Sequence, residues 1–339
     1  MNILTIKSRH KGLISAPISK FNTIIDSSSI EMSSKNDELK IVIATRKKET
    51  AALSLFFEIY SLVFIYLGAF PTIESIDFNG NSIDTSQWVG KYKTRPDLFR
   101  QDLFISNLSN MTINQSAIDG YRHKQAAAIF SLQYLASDDY IHVISDHRIT
   151  LLFHIIDGIC DFDKNKIDIL LSEIIQQYKL TETKKQLGNY IAKVYAVSKE
   201  CFFFYHRKYN CEILKLLRVT QYGFLRMITD TRNWNSHFLR NKKPDRLKRG
   251  NEIVIFFELV QYMIRLKIVK DIGADFKEEN VKEYFYTIHD WILKVLYEKE
   301  NDLKSKTYIA SKQWDDFIEQ VNRYIVDSRI VETTSINEA

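Results

Sequence analysis

Glycine and proline are scarce in this chain: 10 and 4 among 339 residues, where average usage would supply roughly 40. Sandwiches and barrels turn the chain every few residues and rely on these two residue types to do so. The shortage therefore argues against an all-β fold and for long helices. It also removes the nucleotide-binding folds, because neither G-x-G-x-x-G nor G-x-x-x-x-G-K-[ST] occurs. The hydrophobic fraction of 45% and the charged fraction of 26% are those of a globular protein. Disorder, a coiled coil and a disulfide scaffold are thereby excluded. At roughly 150 residues per domain, the length suggests about two domains. Cys160, Cys201 and Cys211 are odd in number and form no C-x-x-C pair. They read as reduced thiols in a cytoplasmic protein, with no zinc site. Met1 to Lys7 alternates like a strand and has no apolar h-region, so no secretory signal is expected.

Residues 1–45 read as short strands, among them Leu39-Lys40-Ile41-Val42-Ile43-Ala44-Thr45. Residues 50–68 form an apolar run with one charge, Glu58, long enough to raise the question of a membrane span. Ser54, Glu58 and Ser61 recur at steps of four and three, which draws one polar stripe along a helix. No second span follows, so the expectation is a buried helix packed on a sheet, ended by Phe70-Pro71. Thr72 to Phe78 alternates as a strand, Asn79-Gly80-Asn81 signals a turn, and 85–119 reads as further strands and loops. From about residue 125 the period becomes helical. Helices are expected at 121–136, 140–160, 165–178, 184–205, 208–230, 246–270, 277–299 and 308–327. Ile167, Leu170, Leu171, Ile174, Ile175 and Tyr178 keep the 3–4 spacing of an amphipathic helix. The fold class is therefore α+β: a mixed α/β leader domain over 1–130, an all-α domain over 131–330, and a disordered tail over 331–339.

Charge is unevenly placed. Residues 1–198 carry a net +1 and residues 271–339 a net −6, whereas residues 199–270 hold 16 basic against 6 acidic groups. Arg240, Lys242, Lys243, Arg246, Lys248 and Arg249 crowd one loop there, with Arg207 and Lys208 upstream beside the aromatics of Cys201 to Tyr209. Those aromatics read first as core at a helix end. The cations can be a solvated face, or a site that displaces counterions from phosphates. Other candidates fare worse. Asp161-x-Asp163-x-Asn165 opens like a calcium loop but has Lys166 at position 6 and Ser172 at position 12, so helix capping explains it better. His142, Asp146 and His147 lack metal-site spacing. Arg148 and His154 form a loose pair, with His154 expected in the core of an apolar helix.

The sharp signal is Arg232-Asn233-Trp234-Asn235-Ser236-His237. An Arg five residues before a His is expected roughly 0.4 times in such a chain, and roughly 0.02 times once Asn must follow the Arg. Five residues turn an ideal helix by about 500°, leaving the two side chains about 140° apart. Within one chain they converge only where the helix bends or ends between them, and the mediocre helix formers from Thr229 to Ser236 permit that.

The chemistry of such a pair suits RNA cleavage without a metal. Neutral imidazole can take the proton of a ribose 2′-hydroxyl. The oxyanion attacks the adjacent phosphorus, and a guanidinium holds the growing negative charge. Asn233 can hold the phosphate or orient the imidazole. The need for a 2′-hydroxyl confines the reaction to RNA, and the products are a 2′,3′-cyclic phosphate and a 5′-hydroxyl.

On these residues the chain resembles the HEPN-domain proteins, whose signature is R-x(4–6)-H with a polar residue after the Arg. Arg232, Asn233 and His237 fit it, led in by Phe224 to Thr231 and followed by a basic loop and a long apolar stretch at 251–270. The run from Tyr66 to Phe78 is similar to the leader domain of the ApeA-like antiphage group. The resemblance implies an all-α HEPN helical-bundle domain with Arg232, Asn233 and His237 as catalytic residues and no cofactor. It also implies a homodimer with both motifs facing one cleft. RNA (tRNA or mRNA) would be the substrate, a phage-derived trigger a partner, and abortive infection the setting. The alternative is a non-catalytic RNA-binding or phage-sensing HEPN protein that acts through a partner.

Overall fold

The computed structural model describes residues 1–10, 18–68, 70–86, 108, 111–136, 145–200, 214, 219–237 and 250–273. The expected helices at 277–299 and 308–327 lie outside them, as do Arg207, Lys208, Arg240, Lys242, Lys243, Arg246, Lys248 and Arg249. The architecture is α+β: an antiparallel sheet and its covering helix at the N-terminal end, helices thereafter.

Four strands open the chain: β1 (Asn2–Arg9), β2 (Ile18–Ile25), β3 (Ser28–Lys35) and β4 (Glu38–Thr45). After helix α1 (Glu49–Leu67) come β5 (Thr72–Phe78) and β6 (Asn81–Ser82). The sheet order is β2-β3-β4-β1-β5-β6. β1 pairs β4 from Asn2↔Thr45 to Arg9↔Glu38. It pairs β5 with a bulge between Lys7 and Ser8. Leu4, Ile6, Ile30, Met32, Leu39, Ile41, Ile43 and Ile76 form the buried face.

The two-residue hairpins explain how a glycine-poor chain makes a meander. Asp26-Ser27, Asn36-Asp37 and Asn79-Gly80 all have positive φ at both positions, the geometry that matches strand twist. Asp and Asn, which tolerate that region better than most side chains, hold four of the six positions, Ser27 one, and glycine only one.

α1 is long and apolar enough to cross a membrane by length and composition, and 67% of that apolar window is buried inside the fold. Gly68, at φ +72, ends it and donates its N–H to Phe64 O at 2.7 Å. The helix thus stops before the expected Phe70-Pro71. Phe70 instead folds back to stack on Phe64 and Tyr60, with centroids 4.6 and 5.2 Å away. The Glu58 of the polar stripe meets Arg122, which donates to both its oxygens and to both oxygens of Asp26. Hydrogen bonds from Arg122, and then from Lys47 and Gln115, hold the Asp26 carboxyl well below the usual carboxylate range.

A helix starts at Gln115, earlier than the period indicated. α2 (Gln115–Gly120) is capped by the Asn114 side chain, passes through a π-helical turn (Tyr121–Gln125) and continues as α3 (Ala126–Ala136). This continuous element runs across the expected boundary at 130. Next come α4 (Ser145–Ile159) and α5 (Lys164–Gln177). Asp163 is indeed a cap, accepting from Lys166 N at 2.7 Å. Ile167, Leu170, Leu171 and Ile174 are buried as the spacing required. His154 on α4 is exposed, not core. The helix expected over 184–205 is two: α6 (Lys184–Leu187) and α7 (Asn189–Glu200), parted by Gly188 at φ +75. α8 (Gln221–His237) and α9 (Gly250–Asp271) complete the described helices.

One buried cluster joins both ends, from Leu4 and Phe64 to Ile156 and Ile264. Its firmest joint is Arg265 of α9. With 1% exposure, it donates from Nε to Ile65 O at 2.9 Å and from Nη2 to Tyr66 O at 3.0 Å. It thereby satisfies carbonyls that the C-terminal turn of α1 leaves open. A Cβ on Gly68 would stand 2.6 Å from Arg265 Nη1, so glycine serves here both the positive φ and the close approach.

Candidate functional site: a cleft at the Arg232-Asn233 pair

α8 runs unbroken through the R-N-x-x-x-H motif to His237. The threonines that made this stretch look poor as a helix are absorbed locally. Thr229 and Thr231 donate their hydroxyls to Leu225 O and Met227 O, one turn back. A continuous helix sets Arg232 and His237 about 140° apart and about 7.5 Å along the axis. The bend that would bring them together within one chain is thus not present up to His237. The side chain of His237 lies outside the described residues, and so do those of His142 and His147.

Arg232 and Asn233 line a cleft of about 580 Å³, together with Asp157, Phe162, Ile167, Leu187, Gly188, Asn189, Tyr190, Lys193 and Thr229. Helices α4 to α8 all contribute to it, and its polar groups come from α4, α7 and α8. From α8, Arg232 donates from Nη1 to Asn233 Oδ1 at 3.2 Å. From α4, Asp157 accepts Arg232 Nη2 at 3.5 Å, a long contact. From α7, the Tyr190 ring lies 4.7 Å from the Arg232 guanidinium carbon, a cation–π distance. Lys193, one turn along α7, donates to Asp157 Oδ1 at 2.9 Å. Arg232 keeps 24% of its side chain exposed, and its Nε–H has no hydrogen-bond partner among the described residues.

The local order follows from the sequence. Gly188 breaks the α6–α7 run, and α7 then starts with Tyr190 and Lys193 three residues apart, hence on one face. Tyr190 is fixed by its hydroxyl, which donates to Phe153 O at 3.3 Å, and by edge-on contact with the Phe153 ring. Burial, and then the Asp157 charge, push its phenol well above the ordinary value, so it stays neutral. Cys160 lies nearby, its thiol pushed up to about 12 mainly by burial. It is therefore protonated at neutral pH and unsuited to nucleophilic work.

Arg232 and Asn233 thus share one cleft wall. Sequence reasoning missed Asp157, Tyr190 and Lys193. A signal was present for Lys193, a lone charge between apolar neighbours, Ile191, Ala192 and Val194. Nothing in sequence pairs it with Asp157. The arrangement offers two cations, one carboxylate and two amides beside an apolar wall of Phe162, Ile167 and Leu187, which suits a phosphorylated ligand with a planar or apolar part. No protein-family model, curated protein or solved structure matches the chain.

Proposed function

We propose that this chain is a metal-independent endoribonuclease of the HEPN type, acting in the cytoplasm on tRNA or mRNA in antiphage abortive infection. The observation that carries this reading is the Arg232-Asn233 pair on the wall of a cleft large enough for a nucleotide. Arg232 is oriented by Asn233, Tyr190 and Asp157 and retains donors for a phosphoryl oxygen. The carbonyl of Asn233 is turned to Arg232, so its amide N–H groups remain for the same phosphate. In the reaction, His237 takes the 2′-hydroxyl proton and the 2′-oxygen bonds to phosphorus. The P–O5′ bond breaks, and the 5′-oxygen leaves with a proton. Arg232 stabilises the charge on the non-bridging oxygens.

The unbroken helix supports a two-fold homodimer as the active form. A second copy brings a His237 to the Arg232 of its partner, or lines both motifs along one cleft. Sedimentation of a fully active monomer, with and without RNA, would remove the dimer. The second reading is an RNA-binding or phage-sensing HEPN protein without chemistry. It is favoured by one observation, the Asp157 carboxylate already 3.5 Å from Arg232 Nη2.

Incubation of purified protein with total RNA in EDTA, with and without lysate of phage-infected cells, separates the two readings. The first expects 2′,3′-cyclic phosphate and 5′-hydroxyl ends, and a rate lower by on the order of 10²–10⁴ in Arg232→Ala or His237→Ala. RNA bound but left uncut under both conditions selects the second.

A further inference from the structure

We propose that Lys193 is a second phosphate-binding residue of this cleft, and that Asp157 positions Lys193 and Arg232 as a pair for one phosphodiester of RNA. The proposal rests on the reading of the cleft as an RNA site and adds two residues to it.

The motivation is the bridging carboxylate. Asp157 receives Lys193 on Oδ1 at 2.9 Å and Arg232 on Oδ2 at 3.5 Å. Its two oxygens therefore tie a cation of α7 to a cation of α8. Two like charges this close repel each other unless an anion lies between them. The carboxylate thus sets the spacing of the pair before any ligand arrives. A stabilising role alone is a weak explanation, because a partly buried ion pair gains little over apolar packing. Ala192 and Val194, on either side of Lys193, are both fully or nearly fully buried.

Donor capacity points the same way. An ammonium has three N–H donors. Among the described residues, Lys193 directs its donors to Asp157 alone, to Oδ1 and to the backbone oxygen at 3.4 Å. Arg232 has five: Nη1 gives one to Asn233 and Nη2 one to Asp157, which leaves each a second N–H with no bond among the described residues, while the Nε–H is buried. Lys193, Arg232 and Asp157 together carry a net +1. That complements the single negative charge of a phosphodiester better than the double charge of a terminal phosphate. The adjoining wall of Phe162, Ile167 and Leu187 takes the sugar or base side of the nucleotide.

The test uses the full chain, a labelled single-stranded RNA oligonucleotide, and four variants: Lys193→Ala, Lys193→Arg, Asp157→Asn and Asp157→Glu. Thermal unfolding of each checks the fold, and Lys193→Gln, which keeps most of the stem, replaces any Lys193→Ala that unfolds. Affinity is measured over a range of salt, and initial rates over a range of RNA. Lys193→Ala should weaken binding about tenfold and flatten the salt slope by about one, with Lys193→Arg restoring both. Asp157→Asn should bind as tightly as the parent or more so, having lost a negative charge. Its kcat should nonetheless fall by on the order of tenfold to a hundredfold, because Arg232 is no longer aligned. Asp157→Glu should recover part of that loss. A Lys193→Ala protein with parental affinity and salt slope overturns the proposal, as does an Asp157→Asn protein with parental kcat. A parent that binds the oligonucleotide without cutting it removes the ribonuclease reading and leaves the Lys193 binding result to decide. A parent that does not bind RNA removes both.

Discussion

Two arginines of this protein do opposite things with the same group. Arg265 joins α9 to the end of α1. It is 1% exposed and bonded to two backbone carbonyls, in a space kept open by the missing side chain of Gly68. Arg232 stands at a cleft between α4, α7 and α8, a quarter exposed, lying over a tyrosine ring and bonded to the neighbouring Asn233 amide oxygen and one distant carboxylate oxygen. The first guanidinium faces acceptors that belong to the fold, so its removal strands carbonyls in the core. The second faces a volume of about 580 Å³ that no described side chain fills, so its removal should cost the fold little and, on the proposed reading, RNA binding much. Position in the structure, not residue type, makes one a fastener and leaves the other at an open cleft.

The largest expected effect tests that contrast directly. Arg265→Ala should destabilise the protein by about 3 kcal/mol or more, through stranded carbonyls and a cavity. Arg232→Ala should cost at most about 1 kcal/mol. Urea unfolding of the two variants in parallel gives both numbers, and equal losses would erase the distinction. Next in size, Gly68→Ala should cost about 2 kcal/mol from its positive φ and the approach to Arg265. The double variant with Arg265→Ala should lose less than the sum of the singles, since the clash disappears with the guanidinium. Full additivity would show that Gly68 serves only the backbone angle.

A third arginine lies between the extremes. Arg122 ties Asp26 to Glu58 but is a third exposed, so Arg122→Ala should cost only about 1 kcal/mol at neutral pH. Asp26 has its folded pKa depressed, so the unfolded chain binds its proton first as pH falls. Its contribution is complete above its ordinary value near 3.8 and is lost as pH drops through the folded value. The gap between parent and Arg122→Ala should therefore narrow in acid below that value. A gap independent of pH would assign the loss to packing of the Arg122 stem. The smallest effect concerns binding alone. Replacing Lys242 and Lys243 should weaken RNA binding across sequences and flatten the salt slope by about one or slightly more, with no change in stability. Parental behaviour at every salt concentration would show that these two lysines take no part in RNA binding.

Much of this was legible beforehand, and for local reasons. Alternation over Leu39 to Thr45 and Thr72 to Phe78 marks strands because a pleated chain shows one face to the core. The spacing from Ile167 to Tyr178 marks α5 by the same logic at the helical period. The Arg232-Asn233 pair was visible because its two members are neighbours. Other features left weaker traces. The hairpins at Asp26-Ser27 and Asn36-Asp37 contain no glycine, and Asp, Asn and Ser are common outside turns as well. The break at Gly188 lies in a run whose apolar period continues on either side. Thr229 to Ser236 read as a poor helix because propensity ignores hydroxyls that bond to the preceding turn.

The sequence by itself therefore determined the strands, several of the helices, the class, and which arginine carries a candidate motif, since each is written in residues a few positions apart. Only the tertiary structure decided what each charge faces. Asp157 is 75 residues from Arg232, and Ile65 is 200 from Arg265. No periodicity spans such distances. The partners are brought together by burial of apolar faces, which is blind to the charges it carries along. Whether a guanidinium then closes on carbonyls or stands at an open cleft depends on how those faces pack.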